Sequence, residues 1–145
     1  MKARKGTDER SKLIRALDRI TPKIVKLRDA YTCQRCGRMP PPLDSSVLVV
    51  RRARQGLHWA HIYGRRDFLM RWNLINGLCL CNGCHRHFDS NHHMFVEWLD
   101  EKFPARGPYL RALRAQPRCT IKSETLKEWL AEHKEKLIEL ESEFK

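Results

Sequence analysis

The sequence of 145 residues has no long hydrophobic run and few acidic residues. No stretch approaches the roughly 18 consecutive apolar residues of a membrane-spanning helix, and residues 1–12 lack the apolar core of a cleavable signal peptide. Asp and Glu number 17 against 29 Lys and Arg, so the formal net charge is +12. We therefore expect a soluble, cytoplasmic protein without a membrane partner. The charge predicts a polyanionic partner, for which nucleic acid is the default.

Four of the six cysteines form two Cys-x-x-Cys pairs, Cys33 with Cys36 and Cys81 with Cys84. In a chain without a signal segment, this spacing indicates metal ligands in a reducing compartment rather than disulfides. Four thiolates close the tetrahedral shell of Zn²⁺ and leave no position open. The pattern predicts one structural zinc site, with Gly37 relieving the bend after the first pair.

The two other cysteines are interpreted differently. Cys79 could replace Cys81 as a ligand, although its spacing to Cys84 makes a poorer metal-binding turn. On a strand, Cys79 would point the same way as Cys81 and could belong to the core. Cys119 is isolated in the sequence and is interpreted as a small hydrophobic residue.

Apolar positions recur at helical spacing from residue 11 to residue 30, but Pro22 falls inside that run. Because proline removes a helical hydrogen bond and clashes with the preceding turn, we expect two short helices or a kinked one. Lys and Arg fill the other face. That face is either solvated or laid against a phosphate backbone, and the sequence leaves both interpretations open.

The middle of the chain predicts an antiparallel hairpin. Segments 46–51 and 57–63 have the composition of strands and are separated by a plausible turn. Period-two alternation places His58 and Ala60 on one face of the second strand and His61 on the other.

Helices are expected through the rest of the chain: from Cys81 to about Asn91, from Met94 to Phe103, around Leu110 and Leu113, and from Ser123 onward. The last of these has an apolar stripe of Leu126, Trp129, Leu130, Leu137 and Leu140. We interpret the stripe as a packing or dimerising element.

The chain carries the block HWAHI…RWNLINGLCLCNGCHRHF, preceded by CQRCG. This block resembles the HNH (ββα-metal) endonuclease superfamily and is most similar to small phage-encoded HNH proteins of the NinG/Rap type. The resemblance covers roughly residues 31–92. It implies an α+β fold, in which a small ββα-metal core with a four-cysteine zinc site is flanked by N- and C-terminal helices. The domains would be a basic helical extension (1–30), a zinc-stapled HNH nuclease domain (31–103) and a helical C-terminal extension (104–145).

The resemblance also implies roles by position. His61 would be the general base that activates water, since a neutral imidazole suits that task at physiological pH. Asn76 would orient His61 through its backbone or amide oxygen. His85 would bind a catalytic divalent ion, Mg²⁺ or Mn²⁺, that stabilises the charge developing on the phosphate.

One position departs from the family pattern. Many relatives carry Asp or His immediately before the base, where this chain has Ala60. Asp89 lies one helical turn after His85 and is the preferred second ligand of the ion. His58, which shares a strand face with Ala60, is a weaker candidate.

Arg65, Arg66 and Arg71 lie between the base and the metal ligand, and guanidinium groups match phosphate oxygens. We expect these arginines to bind DNA. The alternative is that Arg71 pairs with a carboxylate while Arg65 and Arg66 are solvated.

The resemblance therefore implies a metal-dependent DNA endonuclease, phage-encoded and acting in the host cytoplasm. We expect low sequence specificity or selectivity for DNA structure. Two alternatives remain: a non-catalytic, zinc-containing module that binds nucleic acid, and an accessory subunit of a phage DNA-processing machine. The C-terminal helix could form a homodimer or dock a phage protein partner.

Overall fold

The computed structural model describes residues 5–41 and 54–143. It is a mixed, helix-rich chain with a small two-stranded sheet. The elements, in chain order, are α1 (Lys5–Arg28), β1 (Leu57–His61), α2 (Phe68–Arg71), a 3-10 turn (Leu74–Asn76), β2 (Gly77–Cys81), α3 (Asn82–Ser90), α4 (His92–Lys102), α5 (Arg106–Arg114) and α6 (Ser123–Glu143).

Strands β1 and β2 pair antiparallel, with Leu57 opposite Cys81 and His61 opposite Gly77. The predicted second strand is thus present, and its partner here is the strand that leads into the second cysteine pair. The predicted first strand, 46–51, lies outside the described residues. Helix α2 and the 3-10 turn lie between the two strands, and α3 begins directly after β2.

Helix α1 continues through Pro22, so the expectation of two separate helices is wrong. Its residues Leu17, Ile24 and Val25 are fully buried on both sides of the proline. The Thr21 hydroxyl also donates a hydrogen bond of 2.8 Å to the Leu17 carbonyl. Packing of an apolar face contributes most of a helix's stability in a protein, and here it offsets the hydrogen bond that proline removes.

The apolar stripe of α6 packs along α1. Leu126 joins a buried cluster with Leu17, and Leu140 joins a second one with Ile24. Packing is therefore the role that the structure shows for this stripe. No helix in the described ranges is both long enough and apolar enough to cross a membrane.

The sheet is covered by two groups of helices. Leu78 and Leu80 of β2 share a buried cluster with side chains of α3, α4 and α5, among them Phe88. Trp59 of β1 belongs to a different cluster, formed mainly with α1 and α6. The helices at both ends of the chain therefore contribute to the environment of the central strands.

Candidate functional site

The four cysteines of the two pairs come together in space. The Sγ atoms of Cys33, Cys36, Cys81 and Cys84 all lie within 4.8 Å of one another. The Cys36 and Cys81 sulfurs are 3.7 Å apart, close to the roughly 3.8 Å between tetrahedral ligands that each lie about 2.3 Å from Zn²⁺. The cluster is therefore compatible with a structural zinc ion.

Local backbone geometry forms both halves of this cluster. Gly37 has a positive φ of 75°, and its amide donates a 2.8 Å hydrogen bond to the Cys33 carbonyl. This is the tight bend for which the sequence predicts glycine. Cys81 caps the start of α3 and Cys84 lies in its first turn. The second pair is thus set by a strand end and a helix start.

The electrostatics of the cluster favour a bound cation. Burial by itself would raise the pKa of Cys33, but the backbone amides of Cys36, Cys81 and Arg35 lower it to about 7. Burial raises the pKa of Cys84 to about 12, although the Arg35 guanidinium lies 3.7 Å from its sulfur. A bound cation would favour the thiolate form of Cys84, which burial alone disfavours.

Cys79 and Cys119 lie outside the cluster. Cys79 is completely buried, and that burial raises its pKa to about 12. Its interpretation as a core residue is confirmed. Cys119 is exposed in the loop between α5 and α6, so its interpretation as a packed hydrophobic residue is wrong.

His61 is the last residue of β1, and its ring lies against Trp59 at 3.9 Å between centroids. Its Nε2 atom is 3.1 Å from the carbonyl oxygen of Arg71. Because a carbonyl only accepts hydrogen bonds, Nε2 carries the proton and Nδ1 of the neutral ring is left as an acceptor. Burial, followed by the charge of Arg65, lowers the pKa of His61 to about 4. The ring is therefore neutral at physiological pH.

Asn76 makes different hydrogen bonds from the predicted ones. Its side chain is fully buried; the Oδ1 atom accepts from the Tyr63 amide at 2.9 Å, and Nδ2 donates to the carbonyls of Tyr63 and Met70. The acceptor for His61 is thus the Arg71 carbonyl and not an oxygen of Asn76. As a correction, the Asn76 side chain braces the segment between β1 and α2, while its backbone carbonyl accepts from the amide of Ile62, the neighbour of His61, at 2.9 Å.

Arg71 is held by an ion pair. Its Nε and Nη2 atoms donate to the two carboxylate oxygens of Asp18 at 3.0 and 2.8 Å. The binding of DNA by Arg71 stays a prediction, and in this structure its guanidinium is paired with a carboxylate. Pairing with a carboxylate, the alternative interpretation, is the contact that the structure shows.

Asp18 is a site residue that the sequence did not indicate. Its Oδ1 atom also accepts from the Trp72 indole at 2.8 Å. Burial alone would raise the pKa of Asp18, but the hydrogen bonds from Arg71 and Trp72 hold it below its usual value. The only sequence signal was an acidic residue on the largely basic face of α1, and nothing in the sequence related it to Arg71.

His85 and Asp89 share one face of α3, as predicted. Their Nε2 and Oδ2 atoms are 3.6 Å apart. Two ligands that each lie about 2.1 Å from one ion are separated by roughly 3–4 Å, so this pair fits a single divalent ion whose other positions stay open. Ala60 is completely buried and offers no donor.

His58 stacks on His85 with ring centroids 5.3 Å apart, which places this weaker candidate beside the preferred ligand. Burial, followed by the neighbouring His85, lowers the pKa of His58. Within the described ranges, however, the cysteine cluster alone brings three or more ligand atoms within 4.8 Å of one another. The second ion would therefore depend on two protein donors together with water or phosphate oxygens.

The histidines line two neighbouring cavities. His58 and His85 line one of about 290 Å³ together with Asp18 and Lys26. His61 lines another of about 750 Å³, to which Asp89 and Arg66 also contribute. Arg65 lines both cavities and so connects the predicted base with the predicted metal ligands.

Arg65 and Arg66 have exposed side chains. In the described part of the chain neither forms an ion pair. Arg65 lies over the Trp59 ring at 5.9 Å. Both guanidinium groups are therefore accessible to phosphate or to solvent.

Comparison with protein-family models, curated proteins and solved structures finds no match to this chain. The function of the chain is therefore inferred from the arrangement of its own residues.

Proposed function

We propose that the protein is a metal-dependent DNA endonuclease that hydrolyses phosphodiester bonds with His61 as its general base. The observation that carries the proposal is the placement of His61 at the end of β1, where its neutral ring keeps Nδ1 as an acceptor. Asp89 of α3 lines the same cavity as His61 and lies 3.6 Å from His85. The four-cysteine cluster joins the segment after α1 to the junction of β2 and α3.

The chain's own residues account for most of the proposed reaction. The Arg71 carbonyl fixes the tautomer of His61, so that Nδ1 accepts a proton from the attacking water. A base with a pKa of about 4 is already deprotonated at physiological pH. Arg65 and Arg66 hold the phosphate through their guanidinium groups, which offer pairs of donors to its oxygens.

A divalent ion held by His85 and Asp89, with His58 as a further candidate ligand, would stabilise the charge on the phosphate and on the leaving oxygen. Imidazole and carboxylate together form a mixed donor set, whereas Mg²⁺ prefers oxygen ligands alone. We therefore expect Mn²⁺ to support the activity better than Mg²⁺.

Affinity for DNA should come mainly from the phosphate backbone, because the formal net charge is +12. We propose low sequence specificity or selectivity for DNA structure, and an origin in phage, as the resemblance implies. The apolar stripe of α6 is covered by α1, and Ile138 is the exposed apolar residue on that helix. A homodimer or a phage protein partner that uses α6 would therefore contact its outer face.

The test is a nicking assay. Purified, zinc-loaded protein is incubated with supercoiled plasmid at low salt in Mg²⁺, Mn²⁺ or EDTA. We expect relaxed circles with a divalent ion and none in EDTA. Intact plasmid in every metal, from protein that carries one zinc and binds DNA, would reject the enzyme.

That second result would favour a non-catalytic zinc module that binds nucleic acid, or an accessory subunit. One observation supports this alternative. Ala60 supplies no metal ligand. The two preferred ligands of the predicted ion site are therefore His85 and Asp89, whose donor atoms are 3.6 Å apart. Addition of a partner nuclease would distinguish the binding module from the accessory subunit, because only an accessory subunit should change the partner's rate or products.

A further inference from the structure

Arginines from the C-terminal part of the chain line the cavity around His61. Arg114 is the last residue of α5, and Arg118 follows it in the loop towards α6. Both line the cavity of about 750 Å³ with Arg65 and Arg66. Two of the four arginines there thus come from outside the block that resembles a nuclease.

A second cavity, of about 160 Å³, continues this basic surface. Arg66 and Arg118 line it as well, and Arg10 of α1 contributes a further guanidinium. The exposed thiol of Cys119 lies in the same lining. Because Arg66 and Arg118 are shared, the two cavities form one continuous basic surface that includes the cavity of His61. We name it the arginine track and define it by Arg10, Arg66, Arg114 and Arg118.

The guanidinium groups of the track have no carboxylate partners among the described residues. Two of them are positioned by other contacts. Arg114 lies over the Tyr63 ring at 4.3 Å, and Arg10 donates to the Ile121 carbonyl at 2.5 Å. A cation–π contact, or a single hydrogen bond to a carbonyl oxygen, orients a guanidinium group and leaves its remaining N–H donors available.

The carboxylates of the same two cavities are already engaged. Asp67 accepts from the Leu69 amide at 2.9 Å and so caps α2. Asp89 faces His85. The surface is therefore rich in unpaired positive charge, and its few negative groups have local roles.

Helix α5, which carries Arg114, is packed against the core of the protein. Leu110 is completely buried in the central core, and the Tyr109 hydroxyl accepts from the Asn73 side chain at 3.1 Å. On the same helix, Arg111 pairs instead with Asp100 at 3.1 Å. The helix thus carries one arginine in an ion pair and another, Arg114, directed to the cavity of His61.

We propose that the arginine track binds the phosphates of a DNA strand that runs away from His61, and that Arg114 and Arg118 are its main contacts. The inference rests on the proposed DNA substrate. Guanidinium groups without carboxylate partners that line two adjoining cavities offer sites for more than one phosphate of a polymer, whereas one isolated anion would occupy only one of the two cavities. The C-terminal segment is thereby part of the nucleic-acid interface.

The experiment measures duplex affinity against salt in the His61→Ala background, so that cleavage does not interfere. Arg114→Gln/Arg118→Gln is compared with Arg111→Gln, the matched control on the same helix. Each arginine that neutralises one phosphate contributes about 0.9 to the slope of log K against log salt. We expect the double variant to lose close to two units of slope and the control to keep the parent slope. Arg114→Lys/Arg118→Lys should recover most of the slope, because the charge is retained.

A second measurement uses the Cys119 thiol and avoids substitution in the track. The zinc-loaded protein is treated with a bulky maleimide, with and without duplex, and the modified cysteine is identified by peptide mass. We expect DNA to slow modification of Cys119 severalfold. If the maleimide modifies Cys119 at the same rate with and without a saturating concentration of duplex, the inference is overturned.

The outcomes separate the two proposals. A parent that binds duplex while the double variant keeps its slope overturns the arginine track and leaves the proposed nuclease intact. A parent that does not bind DNA at low salt overturns the arginine track, and it overturns the nuclease as well if the wild-type protein does not nick plasmid. Nicking by the wild-type protein is measured independently and reports on the nuclease alone.

Discussion

The Nε2 atom of His61 and the carbonyl oxygen of Arg71 are 3.1 Å apart, and the Arg71 side chain is held by Asp18 of helix α1. Arg71 thus contacts the predicted base with its backbone carbonyl and the N-terminal helix with its guanidinium. The tautomer of His61 depends on this connection. Helix α1 is therefore part of the support of the candidate site.

Replacing Asp18 should weaken both the fold and the proposed activity. Asp18→Asn removes the charge that faces Arg71 but keeps an acceptor for the Trp72 indole. We expect a loss of about 1–2 kcal/mol in the free energy of unfolding, allowing for solvent screening of a partly exposed pair. Urea unfolding measures this loss, and the nicking rate should fall with it. Asp8→Asn, in the exposed pair with Lys12 on the same helix, is the control and should leave both quantities unchanged.

Replacing Asn76 should lower the free energy of unfolding by more than replacing Asp18. Asn76→Ala removes three side-chain hydrogen bonds and leaves the buried Tyr63 amide without its acceptor and the Tyr63 carbonyl without the Asn76 donor, while the Met70 carbonyl still accepts from the Trp72 and Asn73 amides. We expect a loss of about 3 kcal/mol or more. Asn73→Ala, which removes the cap of the 3-10 turn and an exposed hydrogen bond to the Tyr109 hydroxyl, should cost about 1 kcal/mol. Equal effects of the two substitutions in denaturant titrations would show that Asn76 does not brace the segment.

Substitutions at Cys36 and at Cys119 should have different effects on the zinc content of the protein. Cys36→Ser breaks the four-cysteine cluster and should remove bound zinc, with much of the roughly 10–16 kcal/mol that such a site contributes to folding. Cys119→Ser, at an exposed position outside the cluster, should retain one zinc per chain and the parent stability. Elemental analysis with thermal unfolding measures both quantities. Full zinc occupancy in Cys36→Ser would remove Cys36 from the ligand set.

Stability should depend on pH through buried histidines. Burial lowers the pKa of His61 to about 4 and also lowers that of His133, whereas an unfolded histidine titrates near 6.5. Between about pH 6.5 and pH 4 the unfolded chain therefore binds more protons, and the free energy of unfolding falls as the pH is lowered. The His61→Ala variant should show a shallower decrease than the wild type in urea titrations across this window. Zinc release at low pH affects both proteins alike, so the difference between them isolates His61. Parallel curves would mean that His61 titrates normally in the folded chain.

Local patterns predicted the parts of this fold that depend on neighbouring residues. Two pairs at Cys-x-x-Cys spacing predicted the cluster, and Gly37 has the positive φ that the bend requires. Alternation along β1 placed Trp59 and His61 on one face, and their rings are in contact. The i, i+4 spacing placed His85 and Asp89 together on α3. In each case a local backbone geometry determines which side chains meet.

Contacts between distant segments were not predictable in this way. Asp18 and Arg71 are separated by 53 positions, and only the packing of α1 on the sheet brings them together. Pro22 suggested two short helices or a kinked one, but buried residues on both sides of it keep α1 continuous. The arginine track was missed for the same reason, since Arg10 and Arg118 come from opposite ends of the chain. Tertiary packing, which leaves no periodic signal in the sequence, determined all three.

The central claim is that His61 removes a proton from water during cleavage of DNA. Single-turnover cleavage of a short duplex in Mn²⁺ tests it with the wild type, His61→Ala and His93→Ala, an exposed histidine of α4 that serves as the control. The account predicts that His61→Ala binds DNA and zinc normally but cleaves about 10²–10⁴-fold more slowly, while His93→Ala retains the wild-type rate. Cleavage by folded, zinc-loaded His61→Ala at the wild-type rate would contradict the account.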